Sequence, residues 1–184
     1  MEIISNKIIK FTNSFNANGY TDLIEEVSSS CYPLSEVERR PHLTMELPFL
    51  FSAQDNMSAI KLRSRILKDI IDPISRYMSI YNIDRMVPKK DFITVSKLTP
   101  GMGMSAHVDD DQTESNNFIC MAYANDNFSG GELLFPELGI SYKPSAGDIV
   151  IYQAKQKHMV NQITDGFRYS FGYGFKGPIH DTLQ

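Results

Sequence analysis

The residues best suited to metal chemistry are two histidines and an aspartate in the second half of the chain. The chain contains four histidines, and one of them, His107, lies two positions before Asp109. If this segment is extended, both side chains project from the same face, because alternate residues of a strand share a face. His158 follows much later, with room for several intervening strands. The spacing predicts a metal held by His107, Asp109 and His158.

Two histidines and one carboxylate form a facial triad, which is typical of non-haem iron(II) sites because it leaves adjacent coordination positions open. The same donors bind zinc, so a hydrolytic zinc enzyme is an alternative. Asp110 and Asp111 could replace Asp109 if the register shifted by one residue, but the two-residue period favours Asp109. His42 and His180 lie in irregular or terminal context, and we expect neither to bind the metal.

The last strand of the predicted series carries a second chemical signal. Its aromatic residues are Phe167, Tyr169, Phe171, Tyr173 and Phe175, and they alternate with Arg168, Ser170, Gly172 and Gly174. The two-residue period places the aromatic side chains on one face and Arg168 with Ser170 on the other. A guanidinium can bind a carboxylate through two parallel hydrogen bonds, and a serine hydroxyl can add a third. The pattern of this strand therefore predicts a binding surface for a dicarboxylate at the base of the site. The alternative is that this face is on the outside of the protein and its arginine is solvated.

The order of these motifs resembles the prolyl-4-hydroxylase-like branch of the 2-oxoglutarate/Fe(II)-dependent dioxygenase superfamily. The matching stretch covers residues 92–175. In chain order it contains Pro100-Gly101, His107-x-Asp109, Tyr123 with Asn125, Gly130-Gly131-Glu132-Leu133, Phe135-Pro136, Pro144 with Gly147-Asp148, His158 and Gly166-x-Arg168-x-Ser170. Each of these motifs is weak evidence for the family by itself, whereas the complete set in this order is specific evidence for it.

The resemblance implies a double-stranded β-helix, or jelly roll, that holds Fe(II) at its open end. His107, Asp109 and His158 would bind the iron, and Arg168 with Ser170 would bind the distal carboxylate of 2-oxoglutarate. O2 would be the other co-substrate, and ascorbate is a candidate reductant. The implied reaction hydroxylates an unactivated C–H bond of a peptidyl proline or another protein side chain and releases succinate and CO2. The alternatives are a free amino acid or small molecule as substrate, and a catalytically silent β-helix that serves as a binding module.

The sequence departs from the family pattern at two positions. Collagen-type prolyl hydroxylases have a lysine at the position of Arg168. Arginine has the same role elsewhere in the superfamily, so 2-oxoglutarate binding is still expected, but a strict prolyl-hydroxylase assignment is weakened. The family often has a tyrosine on the strand before the metal motif, where this chain has Ser96-Lys97-Leu98, and Tyr123 is a candidate to supply that phenol. Asp109 is retained, which disfavours halogenation, because related halogenases have a small residue there.

The elements that must position these residues follow from periodicity. An opening strand is predicted at 3–11, and a helix at 20–29 with Asn18 or Thr21 as its cap. A longer helix begins near Asn56, with an expected kink or break at Pro73. Residues 33–55 contain three prolines and are predicted to be irregular. Strands are predicted at 92–98, 118–124, 132–135, 148–152, 159–163 and 167–175.

Helices in the first half of the chain and strands in the second half predict an α+β fold, with the N-terminal helices packed on a jelly-roll core. We expect the 184 residues to form one domain, with a helical support region at 1–85 and the dioxygenase core at 92–175. The polar stretch at 110–117 is either a plain connection or a lid, and the plain connection is favoured. Substrate specificity is expected to reside in this stretch and in residues 33–55.

Composition narrows the class of protein further. The chain is 42% hydrophobic and 22% charged, which is typical of a globular protein. Its net charge of −4 disfavours a nucleic-acid partner. Two cysteines, Cys31 and Cys120, together with the lack of a signal peptide or a membrane-spanning stretch, predict a cytoplasmic protein without membrane association. Cys120 is expected in the core, and the sequence does not determine the oligomeric state.

Overall fold

Two helices pack on one face of a large antiparallel sheet, and a smaller sheet shares a core with the other face. The computed structural model describes residues 1–5, 8–36, 42–85, 87–88, 91–109 and 117–177. The helices are α1 Tyr20–Ser30 and α2 Met57–Ile80, and Pro136–Leu138 form a 3-10 turn. The strands are β1 Glu2–Ser5, β2 Ile8–Phe11, β3 Ser35–Glu36, β4 Leu43–Pro48, β5 Val87–Pro88, β6 Phe92–Leu98, β7 Met104–His107, β8 Asn117–Tyr123, β9 Phe128–Gly130, β10 Leu133–Phe135, β11 Ile140–Tyr142, β12 Ile149–Gln153, β13 His158–Val160, β14 Ile163–Gly166 and β15 Arg168–Lys176.

The strands form three sheets. The large sheet has the order β1-β2-β12-β8-β15-β6-β4-β3, and β5 pairs with β15. The small sheet has the order β11-β10-β13-β7, and β14 pairs with β9 in a two-stranded sheet. The fold is therefore mixed α and β, and most of the neighbouring strands in the large sheet are distant in sequence.

The alternation along β15 divides its side chains between two cores. Tyr169, Phe171, Tyr173 and Phe175 belong to the core under the helices. Arg168 points away from that core, as the two-residue period predicts, and is buried between the large and the small sheet, where Leu98, Tyr123, Leu133 and Val160 pack together. This second core surrounds the predicted site.

Helix α2 begins where its sequence pattern indicates and continues past Pro73 to Ile80. The side chain of Asn56 accepts a hydrogen bond from the Ala59 backbone N at 2.9 Å, which caps the first turn. Pro73 lies inside the helix without dividing it, so the predicted break is absent. Ile70, Ile74 and Tyr77 are buried around this position, and their packing favours the uninterrupted helix despite the missing donor of proline.

Several sequence predictions about the first half of the chain are wrong. The single strand at 3–11 is a hairpin of β1 and β2, in which Ile3 pairs with Ile9. A continuous run of strand-forming residues does not show where such a chain reverses. Residues 33–55 are not wholly irregular, because they include β3 and β4, and β4 pairs with β6. Helix α1 is present, but its cap is Gly19 in the left-handed conformation, with no side-chain cap hydrogen bond.

In the second half, the strand predicted at 159–163 is divided between β13 and β14, which belong to different sheets. Cys120 is buried, as expected. The 110–117 stretch, apart from Asn117, lies outside the described residues, and so does His180. Neither described helix combines the length and the apolar character that a membrane crossing requires.

Candidate active site

The structure brings the three predicted metal ligands together on the small sheet. His107 is the last residue of β7 and pairs with His158, the first residue of β13. Asp109 follows β7 and turns towards both imidazoles. One donor atom from each residue can be chosen so that all three lie within 4.8 Å of one another. Among the described residues, this is the one group of three histidine, cysteine or acidic side chains with that geometry.

The two imidazoles are oriented by neighbouring carbonyl groups. Nδ1 of His107 is 2.8 Å from the carbonyl oxygen of Ser105, and Nδ1 of His158 is 3.0 Å from that of Gln156. A protonated Nδ1 donates in each contact, which leaves the Nε2 lone pair for a metal. Burial lowers the pKa of His158, although the Asp109 carboxylate acts in the opposite direction. A lowered pKa favours the neutral imidazole that metal binding requires.

The Asp109 carboxylate lies between the two imidazoles. Its Oδ1 is 3.8 Å from Nε2 of His107, and its Oδ2 is 3.6 Å from Nε2 of His158. The Asp109 backbone N donates to the carbonyl oxygen of Ala154 at 2.9 Å, which fixes the chain just beyond β7. The alternative ligands Asp110 and Asp111 lie outside the described residues.

A cavity of about 490 Å³ extends from these ligands between the large and small sheets. His107 and Asp109 have side chains that are 37% and 30% exposed, whereas Arg168, which also lines the cavity, is 1% exposed. His107 and Asp109 therefore lie towards the open end, and the guanidinium lies at the closed end. This volume is within the range of about 300–1,000 Å³ that is typical of small-molecule sites.

Arg168 has an incomplete set of partners. Its Nη1 donates to the carbonyl oxygen of Gly131 at 2.8 Å, while its Nε has no hydrogen-bond partner among the described residues. Burial lowers the pKa of Arg168, although Tyr123 and other neighbours oppose that effect. A buried guanidinium is costly unless an anion or strong acceptors compensate it. The closed end of the cavity is thus suited to a carboxylate.

The pair Gly130-Gly131 positions the carbonyl that receives Arg168. Both glycines have positive φ, at 74° and 69°. A Cβ on Gly130 would lie 2.0 Å from the carbonyl oxygen of Gln162, and one on Gly131 would lie 2.5 Å from Cδ1 of Ile163. The family pattern in the sequence contains this pair, but its role as a support for Arg168 was missed.

Two hydroxyl groups near Arg168 also lack partners in the described part of the chain. They are Oη of Tyr123, which lines the cavity, and Oγ of Ser170. Burial raises the pKa of Tyr123, although the Arg168 charge opposes this, so the phenol is a donor at neutral pH. Ser170 is fully buried beside Tyr123 on paired strands and is not among the residues that line the cavity. Buried polar groups are normally satisfied, so the Tyr123 phenol, which lines the cavity, fits a ligand rich in oxygen acceptors.

Sequence reasoning missed two other residues of the cavity wall. Tyr152, on β12, has its hydroxyl 3.3 Å from Nε2 of His158. Burial raises the pKa of Tyr152, and the Asp109 carboxylate raises it further. His42, assigned to an irregular segment, directly precedes β4 and lines the cavity. Neither residue belongs to a recognisable motif, although alternation along the strand at 148–152 could have placed Tyr152 on the face of Val150.

A family model for the 2OG-Fe(II) oxygenase superfamily matches residues 93–174. The match spans a little under half of the chain and shows that residues 93–174 are similar to this superfamily. The cofactor of the oxygenase is Fe(II), and its co-substrates are 2-oxoglutarate and O2, as the resemblance implied. The oxygenase has donors of the right kind for both groups, because two imidazoles and a carboxylate converge at the open end and unsatisfied donors surround the closed end.

Solved structures of prolyl hydroxylases share the fold of the oxygenase at low sequence identity. A viral collagen prolyl hydroxylase from Paramecium Bursaria Chlorella virus-1, in complex with 2OG, is 15% identical with a TM-score of 0.68, over 94% of this chain and 97% of that chain. A prolyl-4-hydroxylase from Pseudomonas putida is 12% identical with a TM-score of 0.61, over 92% of each chain. A prolyl hydroxylase from Trichoplax adhaerens, in complex with a hypoxia inducible factor oxygen degradation domain peptide fragment, is 16% identical with a TM-score of 0.66, over 94% of this chain and 84% of that chain.

Proposed function

We propose that the oxygenase hydroxylates an unactivated C–H bond of a peptide or protein side chain, with proline as the first candidate. His107, Asp109 and His158 are the proposed metal ligands. Arg168 is the proposed anchor for the distal carboxylate of 2-oxoglutarate, assisted by Ser170 and Tyr123. The two facing sheets are proposed to form a double-stranded β-helix, and the chain to act as one domain in which residues 1–85 support the core at 92–175.

The observation that carries this proposal is the position of Arg168 relative to the histidine and aspartate cluster. A fully buried guanidinium lies at the closed end of the cavity that the cluster lines at its open end. A hydrolytic zinc site would give this arginine no role, whereas a keto acid that reaches from the metal to the guanidinium uses both. The intact ligand set also argues against a catalytically silent module.

The residues of the chain have separable tasks. When bound with 2-oxoglutarate, Fe(II) supplies O2-dependent oxidation of a C–H bond coupled to release of succinate and CO2. The carbonyls of Ser105 and Gln156 hold the Nε2 atoms of His107 and His158 towards the metal position. Arg168 fixes the far end of the keto acid. The apolar walls of the cavity exclude water from the reacting groups.

Two observations support a peptide substrate. His107 and Asp109 are about one-third exposed, so a side chain presented by a larger molecule can reach the metal position from outside. The fold is also shared with prolyl hydroxylases, and one of them was solved with a peptide fragment. A site built only for a free amino acid would more often be closed over its substrate.

The experiment begins with metal-free protein to which Fe(II) and 2-oxoglutarate are added under anaerobic conditions. A weak visible charge-transfer band is expected from the iron chelate of the keto acid. O2 is then admitted, and succinate is measured with proline-containing peptides, with matched peptides that lack proline, and with free amino acids. Mass spectrometry should detect one added oxygen atom on the substrate.

The outcomes separate the alternatives. Added oxygen on proline peptides alone would support the proposal as stated. Stimulation of succinate release by free amino acids, and not by peptides, would replace it with a small-molecule oxygenase. A folded protein that gives no chelate band would contradict the proposed site itself.

A further inference from the structure

Tyr152 lies beside the proposed metal site but belongs to the opposite sheet. It is part of β12 in the large sheet, whereas His107 and His158 lie on β7 and β13 of the small sheet. Its hydroxyl is 3.3 Å from Nε2 of His158 and 3.5 Å from Oδ2 of Asp109. One phenol therefore reaches two of the three proposed ligands from across the cavity.

The packing around Tyr152 holds that hydroxyl in place. The residue is 2% exposed. Its ring makes an edge contact with Phe135 at a centroid distance of 5.4 Å and a tilted contact with the His158 imidazole at 4.9 Å. A side chain enclosed in this way has few alternative rotamers. The hydroxyl is thus a fixed feature of the site.

The hydroxyl carries one proton, and two acceptors compete for it. Nδ1 of His158 is engaged with the Gln156 carbonyl, so Nε2 carries the lone pair. In the metal-free protein, Tyr152 can donate to this lone pair or to the Asp109 carboxylate. A metal bound to Nε2 removes the first acceptor, and Oδ2 of Asp109 is then the acceptor that remains within reach.

We propose that Tyr152 is a positioning residue whose hydroxyl donates to Oδ2 of Asp109 in the metal-loaded oxygenase, so that Asp109 binds the metal through Oδ1 alone. This inference rests on the ligand set of the proposed function. A carboxylate held by one oxygen leaves the neighbouring coordination positions open for the co-substrates. The hydrogen bond from the Asp109 backbone N to the Ala154 carbonyl ties the same residue to the segment that follows Tyr152.

The test is Tyr152→Phe, which removes the hydroxyl and keeps the ring. Metal-free protein is titrated with Co(II), and the visible ligand-field bands of bound Co(II) are recorded. Loss of a group that orients a metal ligand typically costs about 10- to 100-fold in metal affinity, and we expect a loss of about 10-fold or more. The bands should also change in energy or intensity, because the freed Oδ2 can enter the coordination sphere. Thermal unfolding of the metal-free variant verifies that it folds.

Tyr20→Phe is the matched control. Its hydroxyl donates to Asp69 at 2.8 Å on the helix side of the large sheet, away from the cavity. It should retain wild-type Co(II) affinity and spectrum. In an Asp109→Ala background, Tyr152→Phe should cause no further loss of Co(II) affinity, because the positioned carboxylate is already gone.

Three results would overturn the inference. The first is a folded Tyr152→Phe protein with unchanged Co(II) affinity and unchanged bands, while the wild-type protein binds Co(II). The second is an intense visible band of the ferric protein that disappears in Tyr152→Phe, which would show that the phenolate itself binds iron. The third is a folded wild-type protein that binds no Co(II), which would remove the proposed ligand set and this role together.

Discussion

His107 and His158 are cross-strand neighbours whose imidazole centroids lie 4.3 Å apart. Each ring directs Nδ1 to the carbonyl of the residue two positions earlier in the chain, so the two Nε2 atoms face the same space. A slip of one residue between β7 and β13 would turn one imidazole to the other face of the sheet. The metal site is therefore a product of strand pairing as much as of residue type.

Asp109→Ala should lose most of its Fe(II) affinity, because it removes the anionic donor of the proposed set. Mutation of a residue that supports a metal ligand typically lowers the metal affinity by about 10- to 100-fold. Removal of the ligand itself should lower the Fe(II) affinity by more than about 100-fold. The measurement is the visible band formed by Fe(II) and 2-oxoglutarate under anaerobic conditions. Asp165→Ala is the control and should keep the band, because Asp165 is exposed on β14 and is not among the residues that line the cavity. An undiminished band in Asp109→Ala would exclude Asp109 as a ligand.

Arg168→Ala should raise the 2-oxoglutarate concentration needed for half-maximal succinate formation. Hydrogen bonds to charged groups contribute about 1.5–3 kcal/mol, which corresponds to a change of about 10- to 150-fold. Arg168→Lys should lie between the wild type and alanine, since it keeps the charge and loses the planar fork. Arg65→Ala is the control, because the Arg65 guanidinium of the wild type donates to backbone carbonyls near α1. Equal 2-oxoglutarate requirements in all four proteins would refute the anchoring role.

Ser170→Ala should have opposite effects on the empty and the loaded protein. In the empty protein, Oγ of Ser170 is buried without a partner among the described residues, so its removal should be neutral or stabilising by about 1 kcal/mol. In the protein loaded with Mn(II) and 2-oxoglutarate, the variant should gain less thermal stability than the wild type, because one hydrogen bond to the ligand is missing. Thermal unfolding with and without both ligands measures the difference. Identical ligand-induced shifts would show that Ser170 makes no contact with 2-oxoglutarate.

The Asp55–Arg63 pair should make the stability of the protein sensitive to acid. The two side chains are each 3% exposed and lie 2.6 Å apart. Burial acts to raise the pKa of Asp55, but hydrogen bonds from Tyr32 and Ser52 and the Arg63 charge lower it overall. A lowered pKa gives stability that is complete above the unfolded value of about 3.9 and is lost as the pH falls through the lower folded value.

Asp55→Asn tests this prediction, because the amide cannot ionise. At neutral pH it should lower the free energy of unfolding by about 3–5 kcal/mol, since Arg63 would remain buried without its partner. Urea unfolding should be measured from pH 7 to pH 3 for both proteins. The difference in the free energy of unfolding between Asp55→Asn and the wild type should become smaller only at the acid end of this range. A gap of constant size across that range would contradict a titrating role for Asp55.

Local periodicity explains why much of the fold was predictable. The spacing of apolar residues in α2 and the alternation along β15 reflect the faces that these elements bury, so each can be read from a short window. Strand β6 was predicted at its observed bounds for the same reason. Strand β4 was missed because prolines at 41 and 48 mark a break in the sequence pattern, whereas pairing with β6 makes residues 43–48 a strand.

The sequence by itself determined the chemistry available to this protein, namely two imidazoles and a carboxylate at strand spacing and an arginine on the polar face of an aromatic strand. Only the tertiary structure decided which groups complete the site. Gly131 supports Arg168 from 37 positions away, and Tyr152 reaches Asp109 across 43 positions. These contacts depend on how two sheets pack against each other, and no periodicity within one strand records that packing. A motif therefore specifies the donors, while the pairing and packing of distant strands set their distances and burial.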